Sequence, residues 1–249
     1  MKAREPAEAK RRHTRPVALP LPVDHGTLVV AVVVAGSARA LTPVVGVPMV
    51  VRAVRTLLAG VLVDRVTVVA DDELHPEVER ACAAEPVDVR APAALRGLGT
   101  HTVQRLVGTR GDGLVTRSDD DIVLLHDACR PLAPDALGAA VVEAVRGGHG
   151  IAVPAMPLTD TVKWVDDRAV VTGTPDRAAL RVLQTPIALR ARLLPANADV
   201  GHNPLAAVRC HTAAGGTVHT VAGHPAAFAV ESVWDLELAE LIAGGRIRL

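Results

Sequence analysis

The chain has 249 residues, long enough for one large α/β domain or two small ones with a sizeable core. Its 27 basic and 27 acidic residues cancel, so no overall field argues for nucleic acid as a partner. Three cysteines, Cys82, Cys129 and Cys210, are odd in number and lack metal-ligand spacing, which suits a reducing cytoplasm better than a disulfide framework.

Residues 1–22, MKAREPAEAKRRHTRPVALPLP, are charged and then proline-rich, with too short an apolar run for a signal peptide or membrane span. They read as a disordered, solvated basic tail ahead of a single domain over 23–249. TLVVAVVVAG, 27–36, is a continuous β-branched run ending at a Gly-Ser turn, the pattern of a parallel strand buried on both faces. PMVVRAVRTLLAG, 48–60, has apolar residues at helical spacing between Pro48 and Gly60. VDRVTVVAD, 63–71, predicts a second strand and PEVERACAA, 76–84, a second helix. A helix over 99–107 precedes the central strand DIVLLHD, whose own helix opens at Pro134-Asp135 and closes at Gly147-Gly148. Strand and helix alternate, so the sheet should be parallel. Residues 150–186 break this rhythm: DTVKWV and RAVVTG, joined by Asp166-Asp167, predict a β-hairpin arm standing off the sheet over about 157–183. GTVHTVAG and AAFAVES supply late strands, and VWDLELAELIAGG the last helix.

An apolar strand buried on both faces gathers its polar residues at its ends, and in open α/β sheets ligands sit at the carboxyl ends. LLHDACRPLAP, 124–134, puts His126, Asp127 and Arg130 there. The chain has only three lysines, Lys2, Lys10 and Lys163, against 24 arginines. A task needing a compact ammonium in the folded body therefore falls to Lys163 or passes to arginine, which is not an equivalent replacement.

AGS after the first strand, HDACRPL, PLTDTVK, TPDRAALRVLQTP and GHPAAFAVESVWDLELAE follow one another, from about Val29 to Leu241, in an order and spacing that resemble the 2-C-methyl-D-erythritol 4-phosphate cytidylyltransferases of the non-mevalonate isoprenoid pathway. The resemblance implies an α/β fold, a Rossmann-like three-layer sandwich with a mostly parallel sheet of the nucleotide-diphospho-sugar transferase type and a protruding β-hairpin arm. It implies a cytoplasmic homodimer joined through the arm, acting on CTP and a sugar or polyol phosphate, with no nucleic acid or membrane as partner.

A Gly-Ser turn between strand and helix offers backbone N–H groups to phosphate, and by resemblance Ala35, Gly36 and Ser37 bind the nucleotide together with Thr102, Asp127 and Ala128. Asp127 would hold the catalytic Mg²⁺ with the nucleotide phosphates, since a hard cation needs oxygen ligands. Arg39 is the only cation near the first loop. Arg130 is open between a functional part and bracing of the turn against Asp127 or a helix terminus. Thr161, Arg177 and Thr185 map to acceptor-binding positions, with Arg39, Asp127 and Arg177 as the catalytic set; an arginine fork suits a phosphate monoester. Asp160 and Lys163 also read as a surface ion pair. His202, His211 and His224 read as surface or loop histidines rather than metal ligands.

The chain departs from the family pattern where positive charge is handled. The family's first loop, A-G-S-G-x-R-x-G followed by P-K, is here shorter, with Ala38 for the second glycine and no lysine. Ala229 stands at the lysine of G-D-P-x-N-I-K-I-T, Ala227 at its asparagine, and Gly99 at the arginine of G-G-x-x-R-x-x-S-V. Removing one such donor costs on the order of 10²–10³ in rate. Three functions stay open: the family reaction, a degenerate nucleotide-binding or regulatory paralogue, and transfer to another polyol phosphate. Arg39, Arg52 and Arg96 are the arginines that could take over.

Overall fold

The computed structural model describes residues 27–60, 63–95, 116, 118–195 and 199–248. The basic tail, the helix expected over 99–107, and Arg96, Gly99 and Thr102 lie outside the described residues.

Strand β1 (Val29–Ala35) leads through a short 3-10 turn, Ala38–Leu41, and a small hairpin of β2 (Pro43–Val44) and β3 (Val47–Pro48) into α1 (Met49–Ala59). There follow β4 (Arg65–Ala70), α2 (His75–Ala81), β5 (Asp88–Arg90), β6 (Ile122–Asp127), α3 (Asp135–Arg146) and β7 (Ile151–Pro157). The arm carries β8 (Trp164–Val165) and β9 (Val171–Gly173), and the chain returns along β10 (Arg181–Leu183) and β11 (Ile187–Arg190). It closes with α4 (Ala206–Ala213), β12 (His219–Ala222) and α5 (Val233–Ala243).

The large sheet is mostly parallel. β6, β1, β4 and β5 lie side by side in that order, all parallel. On the other side of β6 comes β11, antiparallel to both β6 and β7, and then β7, with β12 parallel along its far edge. Ala155 is flanked by β10 and β12, so β10 continues the line of β11 along the same edge of β7. All seven residues of β1 are buried, as a strand covered by helices on both faces requires. Val29, Ala31, Val33 and Ala35 pack toward Val50 and Val54 of α1 and Val141, Val142 and Val145 of α3. Val30, Val32 and Val34 face the opposite layer, with Leu125, Ile187 and Ala207. The period-2 alternation of a strand thus divides one apolar run between two cores.

Three expectations change. The run AAFAVES is not a strand: Pro225–Ala227 form a 3-10 turn, and Val230 is held instead by its N–H donating to the Cys129 carbonyl at 2.8 Å. Strand β11, central in the sheet, and helix α4 are absent from the sequence reading. The arm hairpin forms as expected, but its base is tied to the sheet because β10 pairs with Ala155–Pro157 of β7.

At the carboxyl end of β6 the chain is fastened to the turn before β11, where the Thr185-Pro186 bond is cis. The Asp127 N–H donates to Thr185 Oγ1 at 3.1 Å, and Thr185 Oγ1 lies 3.0 Å from His126 Nδ1. Burial pushes His126 from its ordinary 6.5 down to about 3, and the Arg130 charge acts the same way. The native ring is therefore neutral, whereas in the unfolded chain it binds a proton below about 6.5. Stability is fully present above that pH and is lost as pH falls from about 6.5 toward 3. Denaturant melts at pH 7 and pH 5 should differ by about 2 kcal/mol on account of His126. His126→Gln should have lower stability at pH 7 and a shallower loss between the two; an equal loss in the variant would assign the acid sensitivity to other groups.

Candidate active site

The register of β1 and β6 brings two strand ends together. Val34 lies opposite Asp127, and the Ala128 N–H donates to the Val34 carbonyl at 3.0 Å. The turn of Ala35, Gly36 and Ser37 thus lies alongside Asp127 and Ala128. Gly36 is required by a close approach: a Cβ there would come within 2.5 Å of the His202 carbonyl oxygen. That oxygen belongs to a segment fastened across the sheet end by the His202 imidazole, which pairs with Asp71 at 2.6 Å and with Asp199. The hydrogen bond to Asp199 holds His202 above its usual pKa, with Asp71 adding to it against some desolvation. His202 is therefore a structural clasp on the loop.

The first loop is short and pinned. Ala40 and Val44 are buried, the Met49 N–H donates to the Thr42 carbonyl at 3.0 Å, and Arg52 Nε donates to the Val44 carbonyl at 2.8 Å. Arg52 is thus engaged in bracing the β2–β3 hairpin. Arg39 is exposed and has no hydrogen-bond or ion-pair partner among the described residues, while its charge reaches Cys129 and Asp235.

Asp127 is held at three points. Besides its N–H bond to Thr185, its Oδ1 accepts from the Cys129 N–H at 2.8 Å, and its Oδ2 lies 4.0 Å from Arg130 Nε. Burial raises its pKa, opposed by the Cys129 N–H and the Arg130 charge. Arg130 Nη1 donates to the Ala227 carbonyl at 2.6 Å, so the bracing role is realised: it ties the loop after β6 to the segment that holds the vacant lysine position, Ala229. Cys129 shares a hydrogen bond with Ser37, but burial and then the Asp127 charge push its thiol up to about 11. It stays protonated and is no nucleophile.

Thr185, expected at the acceptor, is 1% exposed and its hydroxyl is engaged by His126 and Asp127; it positions the strand end instead. Thr161 and Arg177 stand exposed on the arm. Arg177 Nη1 donates to the Thr159 carbonyl at 2.9 Å, beside an open cleft of about 660 Å³ between Leu158, Asp176 and Arg181. Among the described residues neither is joined to Asp127. Lys163 donates to Thr174 Oγ1 at 2.6 Å rather than pairing with Asp160. His224, at the family's aspartate position, keeps a capping role, its Nδ1 accepting from the Ala226 N–H at 3.1 Å.

Sequence reasoning passes over Glu231. Its charge acts on Asp127, Cys129 and Arg130, and the signal was available, since Glu231 replaces the threonine that ends the family's K-I-T. Among the described residues no three His, Cys, Asp or Glu side chains cluster as a metal site. A cation at Asp127 would need further oxygens from its ligand.

The chain matches the family described as 2-C-methyl-D-erythritol 4-phosphate cytidylyltransferase over residues 32–244. A protein of that name from Nocardia farcinica is 42% identical over 215 residues, covering 86% of this chain and 89% of its own. Another, from Streptomyces avermitilis, is 38% identical over 85% of this chain and 86% of its own. The crystal structure of 4-diphosphocytidyl-2C-methyl-D-erythritol synthase from Anaerococcus prevotii shares the fold with a TM-score of 0.65 at 20% identity, covering 88% of this chain and 99% of that one. The order of motifs and the Asp127 strand end thus have one explanation: the chain belongs to the 2-C-methyl-D-erythritol 4-phosphate cytidylyltransferase family.

Proposed function

We propose that this chain joins CTP and 2-C-methyl-D-erythritol 4-phosphate to give CDP-methylerythritol and pyrophosphate. The observation that carries the reading is the register that sets the Gly36-Ser37 turn beside Asp127, a phosphate-binding turn next to a carboxylate at the end of a central strand. Asp127 fits a hard divalent cation. Its side chain is 31% exposed, one oxygen is fixed by the Cys129 N–H, and the other meets Arg130 only at 4.0 Å. Mg²⁺ brought in with the triphosphate would take up negative charge as pyrophosphate leaves. Ser37 and the backbone around it hold the nucleotide phosphates, Arg39 meets their charge from the loop, and Arg130 keeps the Asp127 loop rigid.

The acceptor side of the site is completed by a second copy of the chain. Arm residues Trp164, Val165, Val170 and Val171 are 55–61% exposed, and a hairpin this short is marginal without a surface to cover it. Thr161 and Arg177, unconnected to Asp127 in their own chain, are then presented to the partner's acceptor. A cytoplasmic location belongs to this reading and is supported by the cysteines, since Cys82, Cys129 and Cys210 are all free, as suits a reducing compartment. With balanced charge the protein has neither nucleic acid nor membrane as partner.

A second reading, a nucleotide-binding paralogue with little turnover, is favoured by one observation. Ala229 takes the place of the family lysine, and the nearby Arg52 is engaged by Val44, which leaves Arg39 as the free cation of the first loop. Backbone N–H groups bind a ground-state anion but supply less of the charge that must strengthen in the transition state.

Light scattering at micromolar concentration should give a dimer. A monodisperse monomer with a protease-sensitive arm would refute the shared acceptor site. In a pyrophosphate-release assay the protein should bind CTP weakly and turn over slowly compared with a lysine-containing relative. Ala229→Lys alone should not restore the full rate, because the loop lysine is still missing. Robust turnover that Arg39→Ala lowers by roughly 10²-fold or more would instead show that arginine has taken over the lysine's task.

A further inference from the structure

The pairing of β1 with β4 sets Ala35 opposite Ala70, so Gly36 and Asp71 are neighbouring strand ends, and His202 touches both. Its carbonyl oxygen leaves no room for a Cβ on Gly36. Its ring bonds to Asp71 through Nε2 at 2.6 Å and to Asp199 through Nδ1. Each anchor is itself fixed. The Asp71 carbonyl accepts from the Leu74 and His75 N–H groups at 2.9 and 2.8 Å, and the Asp199 carbonyl from those of His202 and Asn203 at 3.2 and 2.9 Å. On its other side the segment is wedged against the uncharged 3-10 turn Pro92–Leu95, where a Cβ on Gly201 would come within 2.6 Å of the Pro92 ring. The hold on the ring therefore sets where the His202 carbonyl stands against Gly36.

Ionised carboxylates only accept hydrogen bonds, so a ring held by one on each nitrogen must donate from both, which only the imidazolium does. A neutral ring keeps one donor and turns a lone pair on the other carboxylate. The charged groups that act on the ring are Asp199 from its own loop and Asp71 from the loop after β4. The hydrogen bond to Asp199 leads in holding it above its usual 6.5, with Asp71 adding to it against some desolvation. The clasp is thus complete below the usual value and is lost as pH rises through the raised one. An ion pair this exposed contributes little to overall stability, so its consequence is local and falls on the turn that its carbonyl touches.

We propose that His202 is a positioning residue for the phosphate-binding turn, holding Gly36 and Ser37 in place for the nucleotide while its imidazole is charged and loosening them when it is not. The proposal rests on the nucleotidyl-transfer reading above, which names the occupant of the turn. It is tested on the full chain by following histidine ring and Gly36 amide signals by NMR from about pH 6 to about pH 9, with CTP affinity measured by calorimetry across the same range. The His202 signal, identified by its loss in His202→Gln, should titrate above the ordinary value of about 6.5, and the Gly36 amide should follow with the same midpoint. Asp71→Asn should move both midpoints down. CTP affinity should fall by about threefold across that midpoint, as suits a partly exposed pair. His202→Gln should bind CTP weakly throughout and show only the change due to the triphosphate itself. A His202 midpoint at or below the ordinary value, a Gly36 amide indifferent to it, or the same pH profile of CTP affinity in wild type and His202→Gln overturns the proposal. A Gly36 amide that follows His202 in a protein that binds no CTP at any pH would uphold the clasp on the turn and sink the nucleotidyl-transfer reading instead.

Discussion

The site depends on one alignment, the parallel pairing of β1 with β6. Because Val34 lies opposite Asp127, the Gly36-Ser37 turn and the Asp127 carboxylate emerge at the same height. A slip of one residue would turn every side chain of β1 to the other core. The alignment is fixed at both ends. At the amino end, Leu28 and Val29 N–H groups donate to the carboxylates of Asp121 and Asp64, at 3.0 and 2.7 Å. At the carboxyl end, Ala128 N–H donates to Val34. Between them β1 has no exposed residue, so a shift would also leave two packed layers mismatched.

From this alignment the polar network follows. Thr185 joins β6 to the turn before β11, His126 stays neutral because it is buried, and Arg130 ties the Asp127 loop to the Ala227 carbonyl. His202 does similar work on the other side, pairing with Asp71 at the end of β4 while its carbonyl packs on Gly36. These contacts join the strand ends and loops to one another, through backbone at Asp127 and Ala227 and through side chains at His126 and Asp71. The centre is therefore rigid before anything binds, which is the condition under which fixed dipoles stabilise developing charge without reorganising.

Strands that are apolar throughout, such as VVAVVVA, and helices with one apolar face, such as MVVRAVRTLLA, were legible in the sequence because periodicity and burial agree there. So was the Asp127 strand end, from its polar residues after an apolar run. Strand β11 was not legible: IALR is four residues long and follows a proline, and its antiparallel place between β6 and β7 is a long-range choice that no local pattern encodes. AAFAVES has the composition of a strand, but Pro225 and the His224 cap turn the chain instead. Thr185 looked like a ligand contact because its burial is visible only once β6 and the turn before β11 are packed together. The place of Glu231 beside the loop after β6 was hidden for a related reason, since it arises from the Val230–Cys129 backbone bond between distant stretches of chain.

Charge is distributed differently here than the family motif implies, in a chain almost without lysine. Arginine's planar fork is well suited to being fixed by carbonyl oxygens, and Arg52 and Arg130 are both used that way, as braces to Val44 and Ala227. A cation bound so tightly to backbone cannot follow a phosphate as its bonds change. On the first loop, Arg39 carries no such brace among the described residues. On the proposed reaction, ground-state recognition of the triphosphate falls to backbone donors, and transition-state stabilisation to the few charges the fold leaves uncommitted. Because binding and rate draw on different groups, substitutions at the braces should disturb the fold of the site, whereas those at the uncommitted charges should act on the chemistry alone.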